Sequence, residues 1–194
     1  MKLTVVHQES YSRTELILRT LFGAFYIVLP HAFILFFLSI WGGILAFVAF
    51  WVVLFSGRYP ESMFEYQVQL MRWQLRVNAR VGNLADDYPP FGLTATDEHV
   101  TFEVPYPERI SRSLLLLRFF FGIIYVVLPH MLFLFFRTVW GGILTLLAWI
   151  SVLFTKKFPA SWHEFLVGTM RWNARVSLYL SFMTDTYPPF SSRE

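Results

Sequence analysis

The sequence predicts an all-α integral membrane protein that is built from two tandem repeats. Its 194 residues are 56% hydrophobic, 20% aromatic and only 15% charged, which lies outside the usual range of soluble proteins. The stretch from Thr20 to Gly57 contains no Asp, Glu, Lys or Arg, and the stretch from Phe119 to Thr155 contains only Arg137. Positions 12–91 match positions 111–190 at 38 of 80 places with a constant offset of 99. The chain therefore resembles a fused dimer.

Each of these two apolar stretches predicts a helical hairpin, at about 13–57 and 112–156. A membrane-spanning helix needs about 20 apolar residues, so each stretch has room for two short passes. The predicted turns are Leu38 to Gly42 and Arg137 to Gly141, where Ser or Thr, Trp and a glycine pair cluster. Trp41 and Trp140 would then anchor the far membrane interface. A re-entrant hairpin that does not cross is the alternative, because such passes are near the lower length limit.

An amphipathic interfacial helix is predicted after each hairpin, at about 61–82 and 160–181. Residues placed 100° apart give the first helix a charged stripe, a second polar stripe and two separate apolar faces. The charged stripe contains Glu65, Gln69, Arg72, Arg76 and Arg80, and the second repeat keeps Glu164, Arg171 and Arg175. A helix floating on lipid needs one apolar face, so two faces predict a helix sandwiched between the hairpin or lipid and the sister repeat or a partner.

Two interpretations apply to the arginines of this stripe. In the first, they form a solvated face that contacts anionic lipid headgroups. In the second, they form buried ion pairs, Arg72 or Arg76 with Asp86 or Glu65, and Arg171 or Arg175 with Asp185 or Glu164. Because Glu65 and Arg72 are seven positions apart, about 10 Å along a helix, we expect their partners to come from other segments.

Each repeat closes on the motif D-x-Y-P-P-F. The residue before a proline is excluded from the α region, so this motif predicts an extended corner that folds back at 88–91 and 187–190. The corner residues are Tyr88, Pro89, Pro90 and Phe91 in the first repeat and Tyr187, Pro188, Pro189 and Phe190 in the second. The repeats then occupy 1–91 and 112–194, with a linker at 92–111. Repeats with an even number of passes would be related by a pseudo-two-fold axis along the membrane normal.

The histidines of the two apolar stretches, His31 and His130, directly follow Pro30 and Pro129. A proline inside a helix frees the carbonyl four residues earlier, here that of Tyr26 or Tyr125, and a neutral imidazole nearby would help to satisfy it. An alternative is that the symmetric pair ligates a haem b between the repeats. The sequence leaves both hypotheses open.

The segments before the hairpins also recur. Residues 2–7 are β-prone, and residues 101–106 occupy the matching position in the second repeat. Ser12 and Ser111 precede the apolar stretches and are candidate helix N-caps.

The motifs together resemble a known family. L-P-H in the first apolar helix, F-[ST]-x-[RK]-[YF]-P after the second, R-W-x-x-R-V with Trp73 or Trp172, and the closing D-x-Y-P-P-F are similar to the bacterial membrane-protein family catalogued as domain of unknown function 4389. The resemblance covers nearly the whole chain, twice. It implies an inner-membrane location and helical hairpins, and it supplies no activity.

Charge distribution predicts the orientation. With two hairpins, all but one of the 16 Lys and Arg residues lie on the side that carries both termini, so the positive-inside rule makes both termini cytoplasmic. The expected location is the bacterial inner membrane, with several passes.

Several functional classes are disfavoured by the sequence. Without cysteine there are no disulfides or thiolate metal sites, and we predict no metal. Transport coupled to protons or sodium is disfavoured because the spans hold no carboxylate. The chain has no Walker A, G-x-S-x-G or H-E-x-x-H motif and no nucleic-acid-binding signature, so we predict neither an enzyme nor a nucleic-acid partner.

The favoured function is a non-enzymatic accessory or scaffolding subunit of a membrane complex. It would dock through its amphipathic helices, contact anionic lipids and associate with other membrane subunits or with itself. One alternative is a haem- or quinone-binding redox subunit that uses His31 and His130. A second is a lipid-binding or lipid-moving module that uses the arginines.

Overall fold

The structure is a computed structural model that describes residues 1–193, and it consists of four helices and one small sheet. The elements are β1 (Lys2–Val5), α1 (Arg13–Ser56), α2 (Glu61–Val81), β2 (Val100–Glu103), α3 (Arg112–Thr155) and α4 (Ala160–Leu180). The two strands pair antiparallel, with Leu3 opposite Phe102. The prediction of a helical protein is therefore correct, except that the two β-prone segments form a sheet.

The first apolar stretch lies within one continuous helix of 44 residues, so the predicted hairpin is wrong. Helix α1 is α-helical over Arg13–Gly23, π-helical over Ala24–Val28 and α-helical again over Leu29–Ser56. The glycine pair expected to form a turn lies in its middle. A Cβ at Gly42 would lie 3.0 Å from Cδ2 of Leu70 on α2, so this glycine serves close helix packing and not a turn.

Helix α3 corrects the second predicted hairpin in the same way. It is α-helical over Arg112–Gly122, π-helical over Ile123–Val127 and α-helical over Leu128–Thr155. Trp41 and Trp140 are each 51% exposed in the middle of their helices and do not mark a turn. Arg137 points at α4, where Nε donates to Oγ1 of Thr169 (3.2 Å) and Nη2 donates to the carbonyl of Phe165 (3.1 Å).

The chain reverses direction after the long helices instead. Gly57 ends α1 with φ of 73°, a left-handed conformation that suits glycine at a helix C-terminus. Helix α2 then runs back along α1, because Tyr66 donates to the carbonyl of Leu38 (2.9 Å) and Trp73 donates to His31 (2.9 Å). Helices α3 and α4 form the equivalent antiparallel pair.

Helix α2 is sandwiched, as its two apolar faces predict, and both of its neighbours belong to this chain. One face packs on α1, where Gln67 also donates to the carbonyl of Gly42 (2.6 Å). The other contributes Phe64, Val68 and Leu75 to the main core, which also holds residues of the sheet and of α4. The sequence predicted that either the sister repeat or a partner protein covers the second apolar face of α2. In the structure the sister repeat covers it.

The two repeats exchange contacts reciprocally. The backbone N–H of Tyr11 donates to the carbonyl of Lys156 (2.8 Å), and that of Ile110 donates to the carbonyl of Gly57 (2.9 Å). Tyr11 and Ile110 are repeat equivalents, 99 positions apart, and so are Gly57 and Lys156. The two bonds are therefore the same contact made once in each direction. Such an exchange defines a pseudo-two-fold axis between the repeats. The axis passes through the sheet, since Leu3 and its equivalent Phe102 are paired there.

Both long helices expose an apolar face over most of their length. They are long and apolar enough to cross a membrane. The exposed residues recur every three or four positions, as on one face of a helix. On α1 this stripe comprises Phe22, Phe25, Leu29, Phe33, Phe36, Ile40, Ile44, Phe47, Trp51 and Phe55, and on α3 it comprises Phe121, Ile124, Leu128, Leu132, Phe135, Val139, Ile143, Leu146, Ile150 and Phe154.

Candidate functional site

A buried histidine and three aromatic residues form the same cluster in each repeat. In the first, Nε1–H of Trp73 donates to Nδ1 of His31 (2.9 Å), and Phe91 stacks on the imidazole with centroids 4.0 Å apart. In the second, Trp172 donates to His130 (2.9 Å), and Phe190 stacks at 4.1 Å. Both histidines are completely buried. We call these two groups the histidine clusters.

The Tyr-Pro-Pro-Phe corner supplies the third aromatic residue. Its extended backbone returns to the long helix, where the hydroxyl of Tyr88 donates to the carbonyl of Tyr26 (2.8 Å). This is the carbonyl that Pro30 frees, so the tyrosine satisfies it and the predicted role of His31 there is wrong. Tyr187 donates to the carbonyl of Tyr125 (2.9 Å) in the same way. The corner therefore stabilises the π-helical segment that precedes each proline.

The hydrogen bond from tryptophan determines the histidine tautomer. An indole N–H only donates, so Nδ1 of His31 accepts and the proton of the neutral ring lies on Nε2. A haem iron needs a free imidazole lone pair, and this pattern offers none on either nitrogen. Every ring contact of His31 and His130 is to aromatic residues of its own repeat. The geometry does not favour a haem held between the two histidines.

The aspartate before the corner fixes the start of the long helix. Asp86 accepts from the backbone N–H of Ser12 (2.7 Å) and pairs with Arg19 (2.7 Å), and both charged side chains are buried. Asp185 accepts from Ser111 (2.7 Å) and pairs with Arg118 (2.6 Å). The predicted pairing of these aspartates with α2 and α4 is thus wrong, because the corner carries them to the helix N-termini, where a negative charge is favourable.

Ser12 and Ser111 cap these helix starts, as predicted. The hydroxyl of Ser12 accepts from the backbone N–H of Glu15 (3.3 Å), and that of Ser111 accepts from the N–H of Leu114 (3.4 Å).

The second arginine of R-W-x-x-R-V holds the segment that follows the corner. Arg76 is fully buried and donates to the carbonyls of Gly92 (2.6 Å) and Ala95. Burial lowers the pKa of Arg76. Arg175 donates to the carbonyls of Ser191 (3.0 Å) and Arg193. Burial leaves Arg76 no access to a lipid headgroup in this conformation.

The first arginine of the motif reaches the sheet. Arg72 donates to the carbonyl of Phe102 (3.1 Å), and Arg171 donates to that of Leu3 (3.3 Å). Arg171 also pairs with Glu164 (3.0 Å), whereas Arg72 and Glu65 are 3.9 Å apart. The expectation that residues seven apart do not pair is therefore wrong, since the extended side chains bridge two helical turns closely in the second repeat and more loosely in the first.

The sequence alone did not identify two kinds of ion pair, one between an arginine of the long helix and the aspartate before the corner in each repeat, and one in the first repeat only. Arg19 and Arg118 recur at the repeat offset, and that recurrence was the available signal. The second pair joins Arg80 to Asp97 of the linker (2.8 Å), with side chains 2% and 1% exposed. It has no equivalent in the second repeat, where Tyr179 replaces the arginine, so repetition gave no signal for it.

The recurring polar residues are therefore used to hold backbone segments together. Indole, guanidinium and phenol groups donate to carbonyls or to the histidine, and the aspartates bind helix starts. Within residues 1–193, no group of three or more His, Asp or Glu side chains is arranged to hold a metal ion.

Comparison with known proteins gives one positive result. No curated protein and no solved structure matches the chain. A family model matches residues 13–92 and again residues 112–192, and the two matches contain the histidine clusters and the aspartate pairs. Each match begins at the first residue of a long helix and ends just after a Tyr-Pro-Pro-Phe corner. The chain therefore belongs to the family described as "Domain of unknown function (DUF4389)", of which it contains two tandem copies.

Proposed function

We propose that this protein is a non-enzymatic scaffold embedded in the bacterial inner membrane, with both termini in the cytoplasm. The observation that carries the proposal is the unbroken apolar stripe on α1 and α3, which is exposed along two 44-residue helices. Soluble monomers rarely expose so large a contiguous apolar surface, and lipid acyl chains would cover it. The stripe supplies membrane attachment, and the remaining layer of α2, α4 and the sheet would present the surface that other molecules bind.

The recurring motifs support a scaffold more than a reaction centre. Their charged and aromatic side chains are directed inward, onto backbone carbonyls, helix starts and one another. Selection for such contacts would maintain a shape and would not require a reactive group. In this proposal the function resides in the surface that the shape presents.

Anionic headgroups would be bound by basic residues at the ends of the long helices, and not by Arg76. Arg13, Arg58, Arg112 and Lys157 are all exposed there, and they form two pairs of repeat equivalents. A symmetric set of cations beside an apolar surface suits contact with anionic lipid, at about 1 kcal/mol per residue near the membrane. This set is also the observation that favours the second candidate function, a lipid-binding module.

Two experiments test the proposal. Purified protein should float with liposomes and should remain with native membranes in alkaline carbonate. Replacement of the four basic residues by Gln should reduce the preference for anionic liposomes and leave flotation intact. Cross-linking in native membranes should give a defined complex of stable stoichiometry. A lone monomer without cross-linked neighbours would contradict the scaffold, and failure to float would contradict membrane embedding.

A further inference from the structure

We propose that α1 and α3 enter and leave the bilayer on the same side, so that the protein occupies one leaflet and crosses the membrane nowhere. The inference rests on the proposed membrane location and adds the manner of attachment. The partner of the apolar stripe is then the acyl chains of a single leaflet.

The first step compares the heights of the two ends of α1 along the pseudo-two-fold axis. Rotation about an axis preserves height along it, so Gly57 lies level with its equivalent Lys156. The backbone N–H of Tyr11 lies 2.8 Å from the carbonyl oxygen of Lys156. Residues 11 and 57, which flank α1, therefore lie at nearly the same height along the pseudo-two-fold axis. The reciprocal bond from Ile110 to Gly57 (2.9 Å) gives the same result for α3.

The second step decides how the axis lies relative to the bilayer. If the axis lay in the membrane plane, α1 and α3 would cross in opposite directions, and everything on the axis would be at mid-depth. The two-stranded sheet lies on the axis and carries exposed Lys2, Thr101 and Glu103 on one face. At mid-depth the exposed charges of Lys2 and Glu103 would lie in hydrocarbon, which strongly disfavours ionised side chains. We therefore place the axis along the membrane normal.

With the axis along the normal, both ends of each long helix lie at one level, whereas a crossing requires a height difference of about 30 Å. The length of the charge-free stretch agrees with this. Thr20 to Gly57 would measure about 57 Å as a helix, nearly twice the hydrocarbon thickness. A straight crossing would leave much of the apolar stripe in water.

The charged residues agree with a one-sided arrangement. Arg13, Arg58, Arg112 and Lys157 lie at the four helix ends, which the backbone bonds place at one level. Arg137, the only charge within either apolar stretch, binds Phe165 and Thr169 of α4 and so points away from the apolar stripe. No charge is left to define a second membrane face.

Single cysteines test the inference directly, because the chain has none. Ser10→Cys and Glu61→Cys flank α1, and Gly43→Cys lies in its exposed middle, where a Cβ meets nothing within 4 Å. Each variant is labelled with a membrane-impermeant maleimide in right-side-out and in inside-out vesicles. We expect Ser10→Cys and Glu61→Cys to be labelled only from the cytoplasmic face, and Gly43→Cys from neither face.

Two results would overturn the inference. Labelling of Ser10→Cys and Glu61→Cys from opposite faces would show that α1 crosses. Labelling of Gly43→Cys from the outer face would show that its middle reaches the far side. The equivalent variants Arg109→Cys, Ala160→Cys and Gly142→Cys should repeat the expected pattern in α3. Flotation of the same variants tests membrane embedding separately, so failure of this inference is distinguishable from failure of the proposed function.

Discussion

The two repeats share one set of contacts and differ in another, and the difference follows their surroundings. The tryptophan–histidine bond, the aspartate at the helix start and the tyrosine bond to the freed carbonyl have nearly equal distances in both copies. These contacts lie within one repeat. The copies diverge where the first repeat meets the linker, because the linker that joins the repeats occurs once in the chain.

One position illustrates this divergence. Arg80 of the first repeat pairs with Asp97 of the linker, at 2.8 Å. The equivalent Tyr179 instead lies under the guanidinium of Arg118 (4.5 Å) and bonds the hydroxyl of Tyr125 (3.1 Å). A linker between repeats occurs only once in the chain, so only the first repeat has this acidic partner. The residue at this position thus follows its neighbours, with an arginine where the linker supplies an acid and a tyrosine where it does not.

The largest expected effect comes from breaking the contact that only the first repeat has. Asp97→Asn should lower the free energy of unfolding by about 3–5 kcal/mol, because it leaves the charge of Arg80 buried without a partner. Unfolding in detergent, followed by circular dichroism, measures the loss.

A double variant provides the control. Arg80→Tyr combined with Asp97→Asn copies the residue of the second repeat and removes the unpaired charge, so it should recover part of the loss. Equal losses in the single and double variants would show that the ion pair does not explain the difference between the repeats.

The next largest loss of stability should be the same in both repeats. Trp73→Phe and Trp172→Phe each remove the donor to a buried histidine and leave Nδ1 unsatisfied, which costs about 1–3 kcal/mol. Comparison of the two unfolding curves tests the equivalence of the histidine clusters. Losses that differ by more than about 1.4 kcal/mol, a factor of ten in the folding equilibrium, would show that the clusters are not equivalent.

A smaller and equally symmetric loss is expected at the corners. Tyr88→Phe and Tyr187→Phe remove one hydrogen bond each, to the carbonyls of Tyr26 and Tyr125. Both tyrosines are partly exposed, so water can replace the hydroxyl, and the loss should be about 0.5–1.5 kcal/mol. Hydrogen exchange of the backbone amides in the π-helical segments measures the local effect, which an unchanged exchange rate would disprove.

The smallest expected effect is a pH dependence of stability that comes from a histidine of the second repeat. Burial lowers the pKa of His163, whose equivalent in the first repeat is Phe64. As the pH falls, the histidine of the unfolded chain therefore binds its proton at a higher pH, near 6.5, than that of the folded chain. Stability should therefore be full above that pH and fall as the pH drops below it.

His163→Phe copies the first repeat and should reduce this dependence. His7 contacts the same ring, with centroids 5.0 Å apart, so His7→Tyr, which copies Tyr106, is the second arm of the experiment. Unfolding curves at pH 5 to 8 provide the measurement, and an unchanged pH profile in His163→Phe would contradict the assignment.

The internal repeat predicted more of the site than the chemistry of the individual residues did. It identified the two histidines, both tryptophans, the aspartates and the corners, and the structure brings these residues together in each copy. Their partners were predicted less well, because a pairing such as Asp86 with Arg19 joins positions 67 apart and depends on where the corner returns. Neither charge spacing nor helical periodicity contains that information.

The hairpin prediction failed for a related reason. Trp41, Gly42 and Gly43 are compatible with a turn at an interface and also with a helix crossed closely by another helix. Local propensity cannot distinguish these, because glycine permits both. The side chain of Leu70, packed against Gly42, decided for the continuous helix.

The sequence by itself determined that this protein has two equivalent units, a membrane-compatible composition and helices with defined polar and apolar faces, since these follow from residue identity and period. Only the tertiary structure decided which segments turn back, which arginine holds which carbonyl, and that α2 and α4 cover their second faces within the chain. Those outcomes depend on contacts between residues far apart in sequence, such as Tyr11 with Lys156. The same contacts place the two ends of each long helix at one level, which no hydropathy pattern records.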